Sequence, residues 1–255
     1  MKLQVKDLDF HYRQHAVLQQ IDLELHQGEL MAVLGPNGVG KTTLLRCINA
    51  MHRPRGGTIT VEDINVLRMG SRDIARHFGY VAQRGESARM TAFDAVLLGR
   101  TPHMGWRPAR DDLQKVEAAL QRIGLGELSL RFLDEMSGGE LQKVCIARAL
   151  VQEPHILLLD EPTSSLDLKN QFEILQTIRA ITRSHPVSAI MTMHDLNSAL
   201  RFADRFVFVK AGRIYADVAA SGVTPTIVQA VYGVEVDILE HSGYRLVVPR
   251  ATCPQ

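Results

Sequence analysis

The chain has 255 residues, 45% of them hydrophobic and 22% charged, with a formal net charge of +1 at pH 7. That length suffices for one large α/β domain or two small ones with a sizeable core, and with so even a charge balance and no basic block nothing suggests electrostatic binding to a nucleic-acid backbone. Cys47, Cys145 and Cys253 stand far apart without C-x-x-C spacing, which points to a reducing compartment.

Cys47 and Cys145 fall in helical patterns and read as small core residues. The opening Met1-Lys2-Leu3-Gln4-Val5 has neither the charged nor the apolar region of a signal peptide. No apolar run reaches the roughly 20 residues that a bilayer span needs. The expectation is a soluble chain whose membrane role, if it has one, runs through a partner.

Alternation at Leu3, Val5 and Leu8, and again at Ile21, Leu23 and Leu25 before Gln27-Gly28, predicts a hairpin. Tyr12 falls at its bend, where an aromatic ring can stack on a purine. His11 and His15 are four apart, which suits a metal on a helix but not on a strand and bend, so no metal is expected there. The run Leu30-Met31-Ala32-Val33-Leu34 reads as a buried strand. It is followed by Gly35-Pro36-Asn37-Gly38-Val39-Gly40-Lys41-Thr42 and then by helix-forming Thr43-Leu44-Leu45-Arg46. Strand, glycine turn and helix in that order make a phosphate cradle. Backbone N–H groups point inward and the helix adds its positive dipole end. Lys41 is then placed for the β- and γ-phosphates, and the Thr42 hydroxyl for Mg²⁺.

The helix from residue 41 to about 50 should end near His52-Arg53-Pro54. Strands follow at 58–61 and 78–81, the second running into Gln83. Residues 84 to 153 read as mainly helical, with Leu113, Val116, Leu120 and Ile123 as a core stripe and Gly124 and Gly126 marking its end. In Met136-Ser137-Gly138-Gly139-Glu140-Leu141-Gln142, Ser137 and Glu140 form a capping box. Each glycine of the pair costs about 1 kcal/mol against alanine in a helix. The pair is expected where bare amides must approach a ligand, which makes this helix start a second anion site.

Ile156-Leu157-Leu158-Leu159 reads as a strand buried on both faces and ending in Asp160-Glu161-Pro162. Asp160 is placed to hold Mg²⁺ and Glu161 to polarise an attacking water. Ser164-Ser165-Leu166-Asp167 leads into a helix with apolar spacing at Phe172, Leu175, Ile178 and Ile181. A strand over 188–193 ends in His194-Asp195, among parallel strand ends of the kind where open α/β sheets bind ligands. Phe206-Val207-Phe208-Val209, the turn Ala211-Gly212 and Arg213-Ile214-Tyr215 come next. Ile227, Val228, Val231 and Tyr232 predict a short helix, followed by two weak strands that end at Leu246-Val247-Val248-Pro249.

Taken together, these motifs resemble the ATP-binding subunits of ABC transporters over nearly the whole length. Tyr12 matches the adenine-stacking position, residues 35–42 the Walker A loop, Gln83 the Q-loop and residues 136–142 the signature. Residues 156–160 match Walker B, Glu161 the general base, residues 164–167 the D-loop and His194 the switch histidine. The resemblance implies an α/β P-loop NTPase (ABC ATPase) with a RecA-like core, an N-terminal antiparallel β subdomain and a helical subdomain. Core and β subdomain would take residues 1–83 and 154–225, the helical subdomain 84–153, and a small C-terminal extension 226–255.

It further implies ATP hydrolysis with Mg²⁺ held by Thr42, Gln83 and Asp160, and catalysis by Glu161, His194, Gln83 and Lys41. ATP contacts are carried over to Tyr12, Gly35, Pro36, Asn37, Gly38, Val39, Gly40, Lys41, Thr42, Thr43, Asp160 and Asp167. Ser137, Gly138, Gly139 and Glu140 would cover the ATP of a second copy in a head-to-tail homodimer. The implied partners are a multi-span membrane permease and, indirectly, a substrate-binding protein, with no nucleic acid, and the implied place is the cytoplasmic face of the cell membrane.

Asp94-Ala95-Val96-Leu97-Leu98-Gly99-Arg100-Thr101-Pro102-His103 and Val231-Tyr232-Gly233-Val234-Glu235-Val236 are similar to segments of importers for iron–siderophore complexes, cobalamin and haem. Ferric siderophore is the first choice among them. The alternative is a soluble ABC ATPase that acts as a mechanical clamp in DNA repair or translation. Such clamps usually carry two cassettes or a long coiled coil, whereas this chain has one cassette and no long heptad tract. Three positions depart from the family pattern. Met136 replaces leucine, a volume-conserving change. Glu140 replaces glutamine, and a carboxylate suits a helix start. Ala82 stands where many relatives have proline.

Overall fold

The computed structural model describes residues 3–83, 89–184 and 186–250. Cys253 and the first residues of the expected helical tract, 84–88, lie outside them. The chain divides into two compact units, Met1–Leu67 with Ile190–Gln255, and Arg68–Ala189.

In the first unit, β1 (Leu3–Tyr12) and β2 (His15–Leu25) form the expected antiparallel hairpin, pairing Leu3 with Leu25 and Tyr12 with His15. Alternation buries Leu3 and Val5 on β1 and Ile21, Leu23 and Leu25 on β2, and a register shift between Val5 and Leu8 lets Leu8 be buried as well. β3 (Leu30–Leu34) is buried along its whole length, as five apolar residues without a polar face require, and α1 (Lys41–Ile48) follows it after a short loop. β4 (Gly56–Val61) and β5 (Ile64–Asn65) complete a four-stranded sheet of order β2-β1-β4-β5.

The second unit opens with α2 (Ser71–His77), which runs directly into β6 (Phe78–Val81). α3 (Ala92–Leu97), α4 (Arg110–Arg122) and α5 (Gly138–Leu150) then share an apolar core that includes Ala95, Val96, Val116, Leu120, Val144 and Ala147. The expected stripe on α4 needs one correction, because Leu113 is 38% exposed. The buried line on this helix is Asp112, Val116 and Leu120, spaced four apart. Arg100 sets that rotation. Its buried guanidinium donates to Asp112 Oδ1 at 2.9 Å, to the Val151 carbonyl at 2.7 Å and to Glu153 at 2.9 Å. The Ala109 amide and Arg100 together hold the Asp112 carboxyl below its usual range. A buried charge is retained where hydrogen bonds and an opposite charge replace its water.

β7 (Ile156–Asp160) pairs in parallel with β6, from Phe78 opposite Ile156 to Val81 opposite Leu159. α6 (Leu168–Ser184) follows, with Ile174, Leu175, Ile178 and Ile181 buried and Phe172 half-buried. The chain returns to the first unit along β8 (Ser188–Thr192).

There, α7 (Leu196–Phe202) precedes β9 (Arg205–Lys210) and β10 (Arg213–Ala219). β9 lies parallel to β3 and antiparallel to β10. α8 (Pro225–Tyr232) starts under the Thr224 hydroxyl with proline at its head, and ends at Gly233 in the left-handed region, φ 74°. A last hairpin pairs β11 (Val236–His241) with β12 (Tyr244–Pro249). The Asn197 side chain on α7 pins it by accepting from the Val247 amide at 2.7 Å and donating to the Val247 carbonyl at 3.2 Å. Cys47 is buried on α1 with its thiol pushed up to about 12 by burial, and the half-buried Cys145 thiol is raised for the same reason. Thiols held protonated are poor nucleophiles.

Candidate functional site

The first unit holds Tyr12, the loop 35–43 and His194. β3 delivers its chain to Gly35, and α1 begins at Lys41 after Gly40, which has φ 110°. A side chain at Gly40 would also come within 2.9 Å of Leu18 Cδ2, so both strain and space require glycine. No side chain caps α1 and no acid stands in its first turn. This helix start keeps the positive end of its dipole without an internal carboxylate. Lys41 is 5% exposed, and its Nζ donates to the carbonyls of Gly35 at 2.8 Å and Pro36 at 3.1 Å. The ammonium thus lies folded over the loop that an incoming anion would fill.

Beyond β8 the Met193 amide donates to the Val33 carbonyl at 3.2 Å, which starts the His194 turn beside the end of β3. The His194 side chain is exposed. Tyr12, at the end of β1, is 46% exposed, and its hydroxyl lies 2.8 Å from His52 Nε2.

The second unit holds Gln83, residues 137–140, Asp160, Glu161 and Asp167. Asp160 is buried at the end of β7, where the Tyr80 hydroxyl donates to its Oδ2 at 3.3 Å. Glu161 follows at φ 48°, a left-handed backbone that glutamate seldom adopts. Such strain persists where the surroundings impose it, and it gathers at functional turns. Here it accompanies a short contact, Gln83 Nε2 donating to Glu161 Oε2 at 2.6 Å. The amide oxygen of Gln83 and the Asp160 carboxylate, both in this unit, are hard oxygen donors. That donor set fits Mg²⁺ in kind.

At the start of α5 the capping box is formed. Glu140 Oε2 accepts from the Ser137 amide at 2.7 Å, and the Ser137 hydroxyl accepts from the Glu140 amide at 3.3 Å. Those bonds to Ser137 hold the Glu140 carboxyl below its usual range. Gly139 has a steric reason within the chain that the sequence reading did not supply. A Cβ there would sit 2.6 Å from Asn170 Oδ1, and Asn170 is itself fixed by Asp167. The Asn170 amide donates to Asp167 Oδ1 at 2.8 Å and its side chain to Oδ2 at 3.0 Å. Asn170 therefore joins the signature and D-loop segments, with an Asp-x-x-Asn spacing at a helix start as its one sequence signal.

A family profile described as ABC transporter matches residues 18–164. An uncharacterized ABC transporter ATP-binding protein of Methanocaldococcus jannaschii is 46% identical, over 98% of each chain. A phosphonates import ATP-binding protein of Rhodopseudomonas palustris is 35% identical over 91% of this chain and 87% of its own. The ferric enterobactin transport ATP-binding protein of Escherichia coli is 32% identical over 97% and 94%. Among solved structures, a metal-chelate type ABC transporter in an inward-facing conformation gives a TM-score of 0.86 at 29% identity, covering 98% of each chain. A dimeric ATP-binding cassette in a post-hydrolysis state with ADP and Pi gives 0.77 at 25% identity, covering 87% of this chain and 100% of its own. The fold is that of the P-loop ABC ATPases, and among the described residues no helix is long and apolar enough to cross a membrane. With the phosphate loop, the strained carboxylate turn and the capped signature helix all in place, the chain belongs to the ABC transporter family as an ATP-binding, ATP-hydrolysing subunit.

Proposed function

We propose that this subunit powers an importer of a chelated metal, with ferric siderophore as first choice ahead of cobalamin and haem. The observation that carries this reading is the likeness to the metal-chelate type transporter over 98% of the chain, against 87% for the plain dimeric cassette. The segments 94–103 and 231–236 point the same way, as does the ferric enterobactin relative.

In this reading the loop 35–43 grips the phosphates of ATP, with Lys41 turning from the loop carbonyls to the β- and γ-phosphates, and Tyr12 takes the base. Thr42, Gln83 and Asp160 would hold Mg²⁺, which neutralises phosphate charge when bound. Glu161 orients the attacking water, released from Gln83 when that glutamine turns to the nucleotide. His194 stabilises charge that develops on the γ-phosphate. Ser137 and Gly139 of one copy cover the ATP bound by the other, so two ATP molecules join a head-to-tail homodimer and hydrolysis parts it. Gln83 carries the presence of the γ-phosphate to the helices α3, α4 and α5, and from there to a membrane permease at the cytoplasmic face.

Vesicles that contain the chain with its permease should accumulate radiolabelled ferric siderophore only with hydrolysable ATP. Uptake of a phosphonate in its place would overturn the chelate assignment while leaving the ATPase standing.

A further inference from the structure

The segment after α1 does more than lead to β4. His52 hangs on the phosphate helix, its amide donating to the Arg46 carbonyl at 3.1 Å. Its imidazole lies parallel to the Phe10 ring, with centroids 5.3 Å apart and 15° between planes, and its Nε2 meets the Tyr12 hydroxyl at 2.8 Å. Arg55 adds two ties to the same hairpin end. Its amide donates to the Asp9 carbonyl at 2.8 Å, and its guanidinium to the Arg13 carbonyl at 2.5 Å. Residues 52–55 thus strap the end of α1 to Asp9, Tyr12 and Arg13.

Tyr12 stands edge-on to both neighbours, at 86° to Phe10 and 85° to His52, so neither ring stacks on it. A half-exposed tyrosine would otherwise sample several rotamers and be ordered only when a ligand binds, which weakens binding. Here the ordering is already done, by a residue anchored to the helix that starts with Lys41 and Thr42.

We infer that His52 and Arg55 are positioning residues that fix the Tyr12 ring in register with the phosphate helix, and so set the contribution of the base to nucleotide affinity. The inference rests on the reading of Tyr12 as the base-stacking aromatic.

Calorimetry with two probes, ATP and inorganic tripolyphosphate, separates base from phosphate. His52→Ala and Tyr12→Phe should each weaken ATP about three- to tenfold and leave tripolyphosphate unchanged. The double variant should be no weaker than either single one, since both remove the same hydrogen bond, and His52→Gln should recover part of the loss. If His52→Ala binds ATP like the native chain while Tyr12→Ala loses it, the strap is overturned and the base reading survives. Equal loss of both probes in His52→Ala also overturns it, because His52 would then act through the phosphate loop. Unchanged ATP binding by Tyr12→Ala overturns the base reading itself, and the strap with it.

Discussion

Helices α1 and α5 both begin among glycines, yet their first turns are built in opposite ways. α1 starts at left-handed Gly40 with no capping side chain and no acid, and a buried lysine lies over the loop before it. α5 starts under Ser137 and carries its own carboxylate, Glu140, bonded back to the Ser137 amide. The first leaves its positive dipole end uncapped beside a buried cation, as binding an anion requires. The second already satisfies its helix end from within, so it suits a brief contact with an anion held mainly by another surface.

Substitutions at each start can break this contrast. The largest effect is expected from Lys41→Ala, which removes the only charge of the loop 35–42. ATP affinity should fall about 100-fold, as for loss of several charge-assisted hydrogen bonds. Titration with a fluorescent ATP analogue checks this, and native affinity would refute the cradle. An intermediate effect is expected at Gly139. Gly139→Ala drives a methyl into Asn170 and should destabilise the chain by roughly 1–3 kcal/mol, as overpacking does. Adding Asn170→Ala should restore part of the loss in chemical denaturation. If the second change restores nothing, the glycine is required for a reason other than room for Asn170.

The smallest effect concerns the capping box. Glu140 titrates below its ordinary 4.5 in the folded chain because it accepts from Ser137. A depressed carboxylate stabilises the fold above its unfolded pKa, and that stability is lost as pH falls through the folded value. On going from about pH 6 to about pH 3 the native chain should therefore lose more melting temperature than Glu140→Gln, by about 1–2 °C. Equal losses would mean that the box contributes nothing to α5.

Which parts could be read in advance follows from the same chemistry. The run 30–34, the glycine loop and α1 were legible because a phosphate cradle needs strand, turn and helix in one continuous stretch, and the run 156–160 because a strand buried on both faces is apolar throughout. α2 was not anticipated. It buries no residue, so it has no apolar period to detect. The exposure of Leu113 on α4 is not legible in the apolar period, because the orientation of the helix is fixed by Asp112 with Arg100, 12 residues away, and a buried carboxylate runs against that period. Asn170 against Gly139, and His52 against Tyr12, are contacts between distant positions. The backbone strain at Glu161 is a property of the folded turn and leaves no trace in residue type.

In the proposed cycle the phosphate loop of one copy and the signature of another close over the same ATP. Glu161→Gln tests it most directly, because it should keep ATP binding while turnover falls about 1,000-fold for loss of the base. Analytical ultracentrifugation of this variant with ATP should give a dimer that dissociates when ATP is removed. A variant that binds ATP, fails to hydrolyse it and stays monomeric even beside its membrane partner would contradict the account.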